Sequence, residues 1–292
     1  MFCSKIINCK EFVESIKQNI SKQTRKFIEE FNETPCIALI RVKGDAASEI
    51  YVNNKIKACA SVGIQSLLFE FEIDVSQDIL ENKILELNQD KSVHGILLQL
   101  PLPKHLNEFY LTNLIDPLKD VDGLTVKNQG NLLAGNDGLF PCTPSGIVTL
   151  LKHIHNDLSG MHAVVVGRSN IVGKPMAQLL LRENCSVSIV HSKTRNICEI
   201  TKSADILVAA VGKPKFIGSD LVKTGSTIID VGINRIDTDG KTKIVGDVDL
   251  DSVVNKVAYI TPVPGGVGPI TVSFLLKNTL KAAYMQKKHS EA

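Results

Sequence analysis

Lys55 stands where a lysine is not expected. The stretch SEIYVNNKIKACASVGI, residues 48–64, predicts a helix that stops near Gly63. At about 100° per residue, Glu49, Asn53, Asn54, Lys57 and Ser61 gather on a polar side, and Val52, Ile56, Cys59 and Val62 on the opposite one. Ser48, Tyr51 and Lys55 fall in the middle of that apolar stripe. Lys57 faces water; Lys55 does not. A lysine so placed either lays its stem over apolar surface while its ammonium reaches out, or sits in a cleft where desolvation lowers its pKa and suits it to proton transfer. Tyr51, four residues earlier, is its neighbour on the helix surface.

A second kind of chemistry starts at Val164. VVVGRSNIVGKPMAQLLL has the layout of a dinucleotide-binding turn: a buried strand, a tight turn at Gly167, Gly173, then a helix. Ser169 replaces the middle glycine of the usual fingerprint and the last glycine comes one residue late, so an ordinary strand–helix turn stays open as a reading. The next strand adds information. An NAD enzyme tends to end it with an acidic residue that holds the ribose hydroxyls, whereas IVHSKT supplies His191, Ser192, Lys193 and Thr194. With no carboxylate to repel it, and with Ser192, Lys193 and Arg168 as donors, an adenosine 2′-phosphate is welcome there, which favours NADP.

Three further segments sit at strand ends or turns. Gln99 closes the run VHGILLQ just before LPLP, at the edge where a parallel sheet meets its ligands; it also suits a backbone cap in the proline turn. Asp120 and Asp122 in KDVDG suit a turn, and TPVPGGVGP, residues 261–269, a rigid Pro/Gly connection before a helix.

These residues need a scaffold. At 292 residues, 43% hydrophobic and 22% charged, the chain can fill the cores of two ordinary globular domains. A net charge of +2 and the lack of a basic tract argue against nucleic acid. Seven cysteines scattered from Cys3 to Cys198 suit free thiols in a reducing compartment. The histidines show no metal-ligand spacing, and HIH at 153–155 is expected near a helix end. No signal-peptide core or membrane span is visible, so a cytoplasmic protein without metal or membrane partner is expected.

The periodicity predicts a helix over 9–32, then strands CIALIRV, SLLFEFE and VHGILLQL alternating with the Lys55 helix and a helix over 76–89. That alternation implies a parallel sheet covered by helices. The polar segment 115–138 is expected to be a long functional turn, followed by a helix with Thr143 as N-cap and Pro144 at its first position. From 162 the alternation restarts with HAVVVG, SVSIV, DILVAA, TIIDVG and VAYI, and ITVSFLLKNTLKAAYM makes a last helix expected to pack on the first domain. The expected architecture is two α/β domains flanking a cleft, residues 1–143 with 272–292 and residues 144–271, the second Rossmann-like.

Together YVNNKIKA, VHGILLQLPLP, KDVDG, PCTPSG, GRSNIVGKP, HSKT, DVGIN, GDVD and TPVPGGVGPITVSFLLKNT resemble, in order and spacing, the bifunctional methylenetetrahydrofolate dehydrogenase/methenyltetrahydrofolate cyclohydrolase family. The resemblance runs from about Val42 to Thr279; the first forty residues carry no distinctive motif. It implies a homodimer that binds folate in the cleft of each chain, oxidises 5,10-methylenetetrahydrofolate with NADP and hydrolyses the methenyl product to 10-formyltetrahydrofolate. It makes Lys55 the catalytic lysine, sets Tyr51 and Ser48 against the folate, and has Gln99 hydrogen-bond the lysine. Asp122 would accept hydrogen bonds from the pterin, while Pro264, Gly265, Gly266 and Val267 line the cleft. The cofactor would meet Gly167, Arg168, Ser169, Ile171, Val172 and Pro175, then His191 to Thr194, then Gly232 and Ile233. A dehydrogenase without cyclohydrolase activity would not need the Tyr51, Lys55 and Gln99 set. A reductase of a small carbocyclic acid would leave KDVDG and TPVPGGVGP unexplained, and a silent nucleotide sensor would have no use for the Lys55–Gln99 pair.

Overall fold

The computed structural model describes residues 5–44, 46–238 and 241–290. In chain order the elements begin with α1 (Cys9–Phe31), β1 (Cys36–Val42), α2 (Ala46–Ser61), β2 (Gln65–Phe71), α3 (Gln77–Gln89), β3 (Gly95–Leu98), α4 (Glu108–Leu114) and α5 (Val126–Ala134). They continue with α6 (Cys142–His155), β4 (His162–Val166), α7 (Gly173–Arg182), β5 (Ser186–Val190), α8 (Ile197–Lys202), β6 (Ile206–Ala209) and β7 (Thr227–Asp230). The chain closes with β8 (Asn234–Thr238), β9 (Lys241–Val245), α9 (Leu250–Val253), β10 (Tyr259–Ile260) and α10 (Val267–Ser290). Two compact units result: Ser15–Cys142 with Val272–Ala292, and Met1–Glu14 with Thr143–Thr271. The architecture is α/β with parallel sheets in both.

In the unit carrying Lys55, the parallel sheet runs β2-β1-β3. CIALIRV is central because it is apolar toward both faces, and all seven of its residues are buried. Leu80, Ile84 and Leu87 of α3 pack on this sheet beside Val93 and Ile96. Each such side chain contributes about 1.5–3 kcal/mol by leaving water. From Val272 onward α10 packs here: Gln286 Nε2 donates to His94 O at 2.7 Å, and Tyr284 meets Phe27 edge-on.

The second unit is doubly wound, with parallel order β10-β7-β6-β4-β5. Val164, Val166, Leu207 and Ile228 supply its core from the middle strands. The N-terminal segment joins this unit, since Ile7 N–H donates to Ile260 O at 2.9 Å.

The structure differs from the sequence reading in several places. The residues up to Glu14, expected in the first domain, belong with Thr143–Thr271, and α4 has no counterpart in the periodicity. The segment 115–138 is not all turn, because Thr125 caps α5 by accepting from Asn128 N–H and Gly135 ends it in the left-handed region. The β8–β9 antiparallel hairpin has no counterpart in the sequence reading. Helix α6 begins at Cys142, and Thr143 does not cap it; its hydroxyl instead meets the Thr271 hydroxyl at 2.8 Å.

Candidate functional site

Helix α2 sets the first group. It stops where Gly63 takes φ +81°, with Ile64 N–H closing on Cys59 O at 3.0 Å. Val52, Cys59 and Val62 are buried as the stripe requires, Ser48 is buried with them, Lys55 is half-buried and Tyr51 is partly open to solvent. Lys55 Nζ donates to Gln99 Oε1 at 2.8 Å, and Gln99 Nε2 donates to Leu100 O at 2.7 Å. One amide therefore does both jobs anticipated for it, steadying the turn after β3 and accepting from the lysine.

The two aspartates of KDVDG part company. Asp120 is structural: it accepts from Leu124 N–H at 3.1 Å, Thr125 N–H at 2.8 Å and Asn128 Nδ2 at 2.9 Å, and so holds the start of α5. Asp122 lies beside Lys55 and the buried Cys142 thiol. Burial holds the Lys55 amine below its ordinary value, and the Asp122 charge pulls it the other way. Burial likewise pushes the Asp122 carboxyl up, against Lys55. The loop carrying Asp122 is clamped from α10, where Asn278 Nδ2 donates to Val121 O and to Phe140 O, both at 2.9 Å. A lysine prone to lose its proton and a carboxyl prone to keep one can exchange protons with a bound substrate.

The second group surrounds a cavity of about 350 Å³ in the doubly wound unit. It opens where the strand order turns, with β5 on one side of β4 and β6 on the other, the usual crevice for a ligand in such sheets. Gly167, Arg168, Ser169, His191 and Ser192 line it. Gly167 has φ +127°, and a Cβ there would stand 2.1 Å from Ala210 O. A Cβ at Gly173 would stand 2.4 Å from Gly167 O, so this late glycine lets α7 approach the turn. Ser169 Oγ, in place of the middle glycine, accepts from Val172 and Gly173 N–H, both at 3.2 Å, and caps α7. The HSKT turn is held by His191 N–H on Thr194 Oγ1 at 2.9 Å and by Lys193 N–H on His191 Nδ1 at 3.2 Å. The cradle and its donors fit a dinucleotide.

Of the other cofactor residues expected from the sequence, Ile171, Val172, Pro175, Lys193, Thr194, Gly232 and Ile233 are not among those lining this cavity. Sequence reasoning missed the opposite wall: Ile197, Ala210, Val211, Lys213 and Phe216. Lys213 Nζ stands 5.8 Å from the Phe216 ring centroid. The signal for this wall was present, because all of it except Ile197 of α8 follows β6, and loops after parallel strands face the ligand.

The segment after β10 is built tightly. Thr261 is buried, Gly265 takes φ +94°, and a Cβ at Gly266 would stand 2.3 Å from Pro262 O. Pro264 and Gly265 are exposed, and Val267, buried, opens α10. Among the described residues, no group of His, Cys, Asp and Glu could hold a metal ion, and no helix is long and apolar enough to cross a membrane.

A dinucleotide cradle in one unit and a lysine–glutamine–aspartate cluster in the other define a two-domain, dinucleotide-dependent enzyme. Comparison with known proteins gives the family. Residues 7–122 match the tetrahydrofolate dehydrogenase/cyclohydrolase catalytic domain, and residues 141–287 match its NAD(P)-binding domain. Bifunctional protein FolD 1 of Acinetobacter baylyi is 51% identical over 97% of this chain and 95% of its own length. The crystal structure of the bifunctional FolD methylenetetrahydrofolate dehydrogenase/cyclohydrolase from Campylobacter jejuni has a TM-score of 0.92 at 43% identity, covering 96% of this chain and 98% of that one. The Trypanosoma brucei dehydrogenase-cyclohydrolase, complexed with NADP cofactor and inhibitor, has a TM-score of 0.92 at 34% identity, covering 97% and 98%. The chain belongs to the tetrahydrofolate dehydrogenase/cyclohydrolase family. It is a bifunctional enzyme, a methylenetetrahydrofolate dehydrogenase and methenyltetrahydrofolate cyclohydrolase with an NAD(P)-binding domain.

Proposed function

We propose that the chain oxidises 5,10-methylenetetrahydrofolate with NADP and hydrolyses the resulting methenyl cation to 10-formyltetrahydrofolate, with Lys55 as its catalytic lysine. The observation that carries this reading is the 2.8 Å hydrogen bond from Lys55 to Gln99, with Asp122 beside the amine.

Oxidation asks little acid–base work of the protein. The folate nitrogens would push electrons toward the one-carbon unit, and a nicotinamide cofactor held by the Gly167 turn, His191 and Ser192 would supply the hydride acceptor. The chain's task is to orient and hold the two reactants. Hydrolysis needs proton management: water adds to the cationic carbon, a proton is lost, and N5 leaves to give the N10-formyl product with net release of one proton. A lysine kept partly neutral by burial serves that transfer as base or acid. Tyr51, one turn along α2, and Ser48 would flank the folate, and Asp122 would accept from the pterin. Pro264 to Val267 would meet the substrate.

NADP rather than NAD is the preferred partner on this reading, since Arg168 and Ser192 line the cavity and no carboxylate stands at the end of β5. A cytoplasmic homodimer is part of the same proposal; β5 is an edge strand with Ile189 exposed, an available pairing edge, and sedimentation would measure the mass.

The decisive assay supplies 5,10-methylenetetrahydrofolate with NADP or with NAD at matched concentrations. Reduced cofactor and 10-formyltetrahydrofolate should both appear, faster with NADP. Reduction that stops at the methenyl cation, beyond its spontaneous hydrolysis, would refute the role given to Lys55.

A further inference from the structure

Gly232 and Ile233 of DVGIN are expected at the cofactor from the sequence. The aspartates of DVGIN and GDVD have no part in the chemistry above, yet they meet. Asp247 is fully buried and accepts four N–H donors. Its Oδ2 takes Val211 N–H at 2.7 Å and Gly212 N–H at 2.9 Å; its Oδ1 takes Lys213 N–H at 3.0 Å and Asn234 Nδ2 at 2.8 Å. Asp230 stands behind it. Asp230 Oδ1 accepts from Gly232 N–H and from Asp247 N–H, and Oδ2 from Val248 N–H, all at 2.9 Å. Its own N–H donates to Thr261 Oγ1 at 2.8 Å.

The glycines of both motifs make room for these carboxylates. A Cβ at Gly232 would stand 2.3 Å from Asp247 Oδ1, and one at Gly246 would stand 1.8 Å from Asp230 Oδ2. Burying two carboxylates side by side is costly unless their lone pairs are used. What the arrangement secures is position. Val211 and Lys213 line the cofactor cavity, across from the Gly167 turn, and Ala210 O limits how near that turn can come.

We propose that Asp247 is a positioning residue for the cofactor, its carboxylate gathering the Val211, Gly212 and Lys213 amides into one wall of the dinucleotide cavity, with Asp230 holding Asp247 in place. This rests on the assignment of that cavity to NADP. The wall's remainder does not depend on the side chain, because Lys215 N–H donates to Gly246 O, Ile217 N–H to Asp247 O and Asp249 N–H to Ile217 O at 2.9–3.0 Å. Removing the carboxylate therefore loosens residues 211–213 more than the fold.

Asp247→Asn tests this. An amide presents one oxygen where two are used, so two of the four donors face its NH2 group whichever way it turns. The full-length variant should bind NADPH at least tenfold more weakly in a fluorescence titration, the scale of losing a charge-assisted pair, while hydrolysing methenyltetrahydrofolate without cofactor within twofold of the parent. Asn234→Ala removes only the side-chain donor and should weaken NADPH about threefold with hydrolysis intact; it carries the test if Asp247→Asn does not fold. Unchanged NADPH affinity in a folded variant, or hydrolysis lost in parallel with it, would overturn the proposal. NADPH binding by the parent is the control: its absence would sink the cofactor assignment itself.

Discussion

Around Lys55 the polar atoms that meet belong to side chains, whereas around the cavity proposed for the cofactor many of the atoms that give it its shape belong to the backbone. The first region tunes charge: a half-buried amine, a half-buried carboxyl and an amide are held within reach of one another, and burial shifts both titrating groups toward their neutral forms. The second shapes space. Gly167 and Gly173 let backbone approach backbone, and Ser169, Thr194 and Asp247 spend their polar atoms on neighbouring N–H groups. Substitutions should accordingly strike different quantities, the rate of proton transfer in one region and the affinity for the dinucleotide in the other.

The largest effect is expected at Lys55. Lys55→Met keeps the stem's bulk, so folding should change little, but hydrolysis of methenyltetrahydrofolate should fall by roughly two to four decades. Hydride transfer falls too if the lysine orients the folate, so the ratio of the two activities is the quantity to follow. Lys57→Met, on the exposed side of α2, should spare both. Equal losses in the two lysine variants would erase the contrast between the helix faces.

Next comes Ser192→Asp, which sets a carboxylate where the proposed function puts the 2′-phosphate. NADP affinity should drop by about one to two decades, the worth of a charge-assisted hydrogen bond, while NAD affinity changes far less. Initial rates with both cofactors measure the switch, and an unaltered preference would move the phosphate site elsewhere.

Gly167→Ala probes backbone shape directly. Strain of about 1–3 kcal/mol in the turn should weaken NADPH roughly tenfold or more, read by titration, with cofactor-free hydrolysis close to that of the parent. Hydrolysis lost alongside would show that the two regions are not separable in this way.

The smallest expected change is a shift in a pH profile. Since burial lowers the Lys55 pKa, the neutral amine appears at lower pH than for a free lysine, and with that amine as base hydrolysis should rise with pH through that value and then level. The Asp122 charge opposes the shift. Asp122→Asn removes the opposing charge, so the rising limb of kcat at saturating folate should move to lower pH, by about one unit. A move to higher pH would reverse the sign of the coupling and contradict the proposed electrostatics.

The legibility of the two regions in the sequence differs for the same physical reason. Lys55 could be read because helical periodicity is a side-chain property and a lysine in an apolar stripe violates it. Gln99 could be read because strand ends in parallel sheets point at ligands. Turn chemistry could not tell Asp120 from Asp122, and only the family resemblance singled out Asp122: they sit two residues apart in one turn, and the backbone path decides which carboxylate faces α5 and which lies beside Lys55. Helix α5 was overlooked although Thr125 and Gly135 are ordinary start and stop residues, because its polar composition resembles a loop. The β8–β9 hairpin escaped because Asn234 to Val245 lacks a buried apolar run. Asp247 was the hardest to read, since its work is done on N–H groups that every residue carries.

Burial holds the Lys55 amine below the ordinary lysine value, and the proton-transfer role proposed for it depends on that shift. Its pKa can be measured by following the side-chain NMR signal of isotopically labelled lysine in the full-length protein, with Lys55→Met identifying the resonance. The account predicts a titration below the ordinary lysine value of 10.5, moving further down in Asp122→Asn. A Lys55 that titrates at or above that value would mean an ordinary ammonium, and the proton-transfer role proposed for it would be wrong.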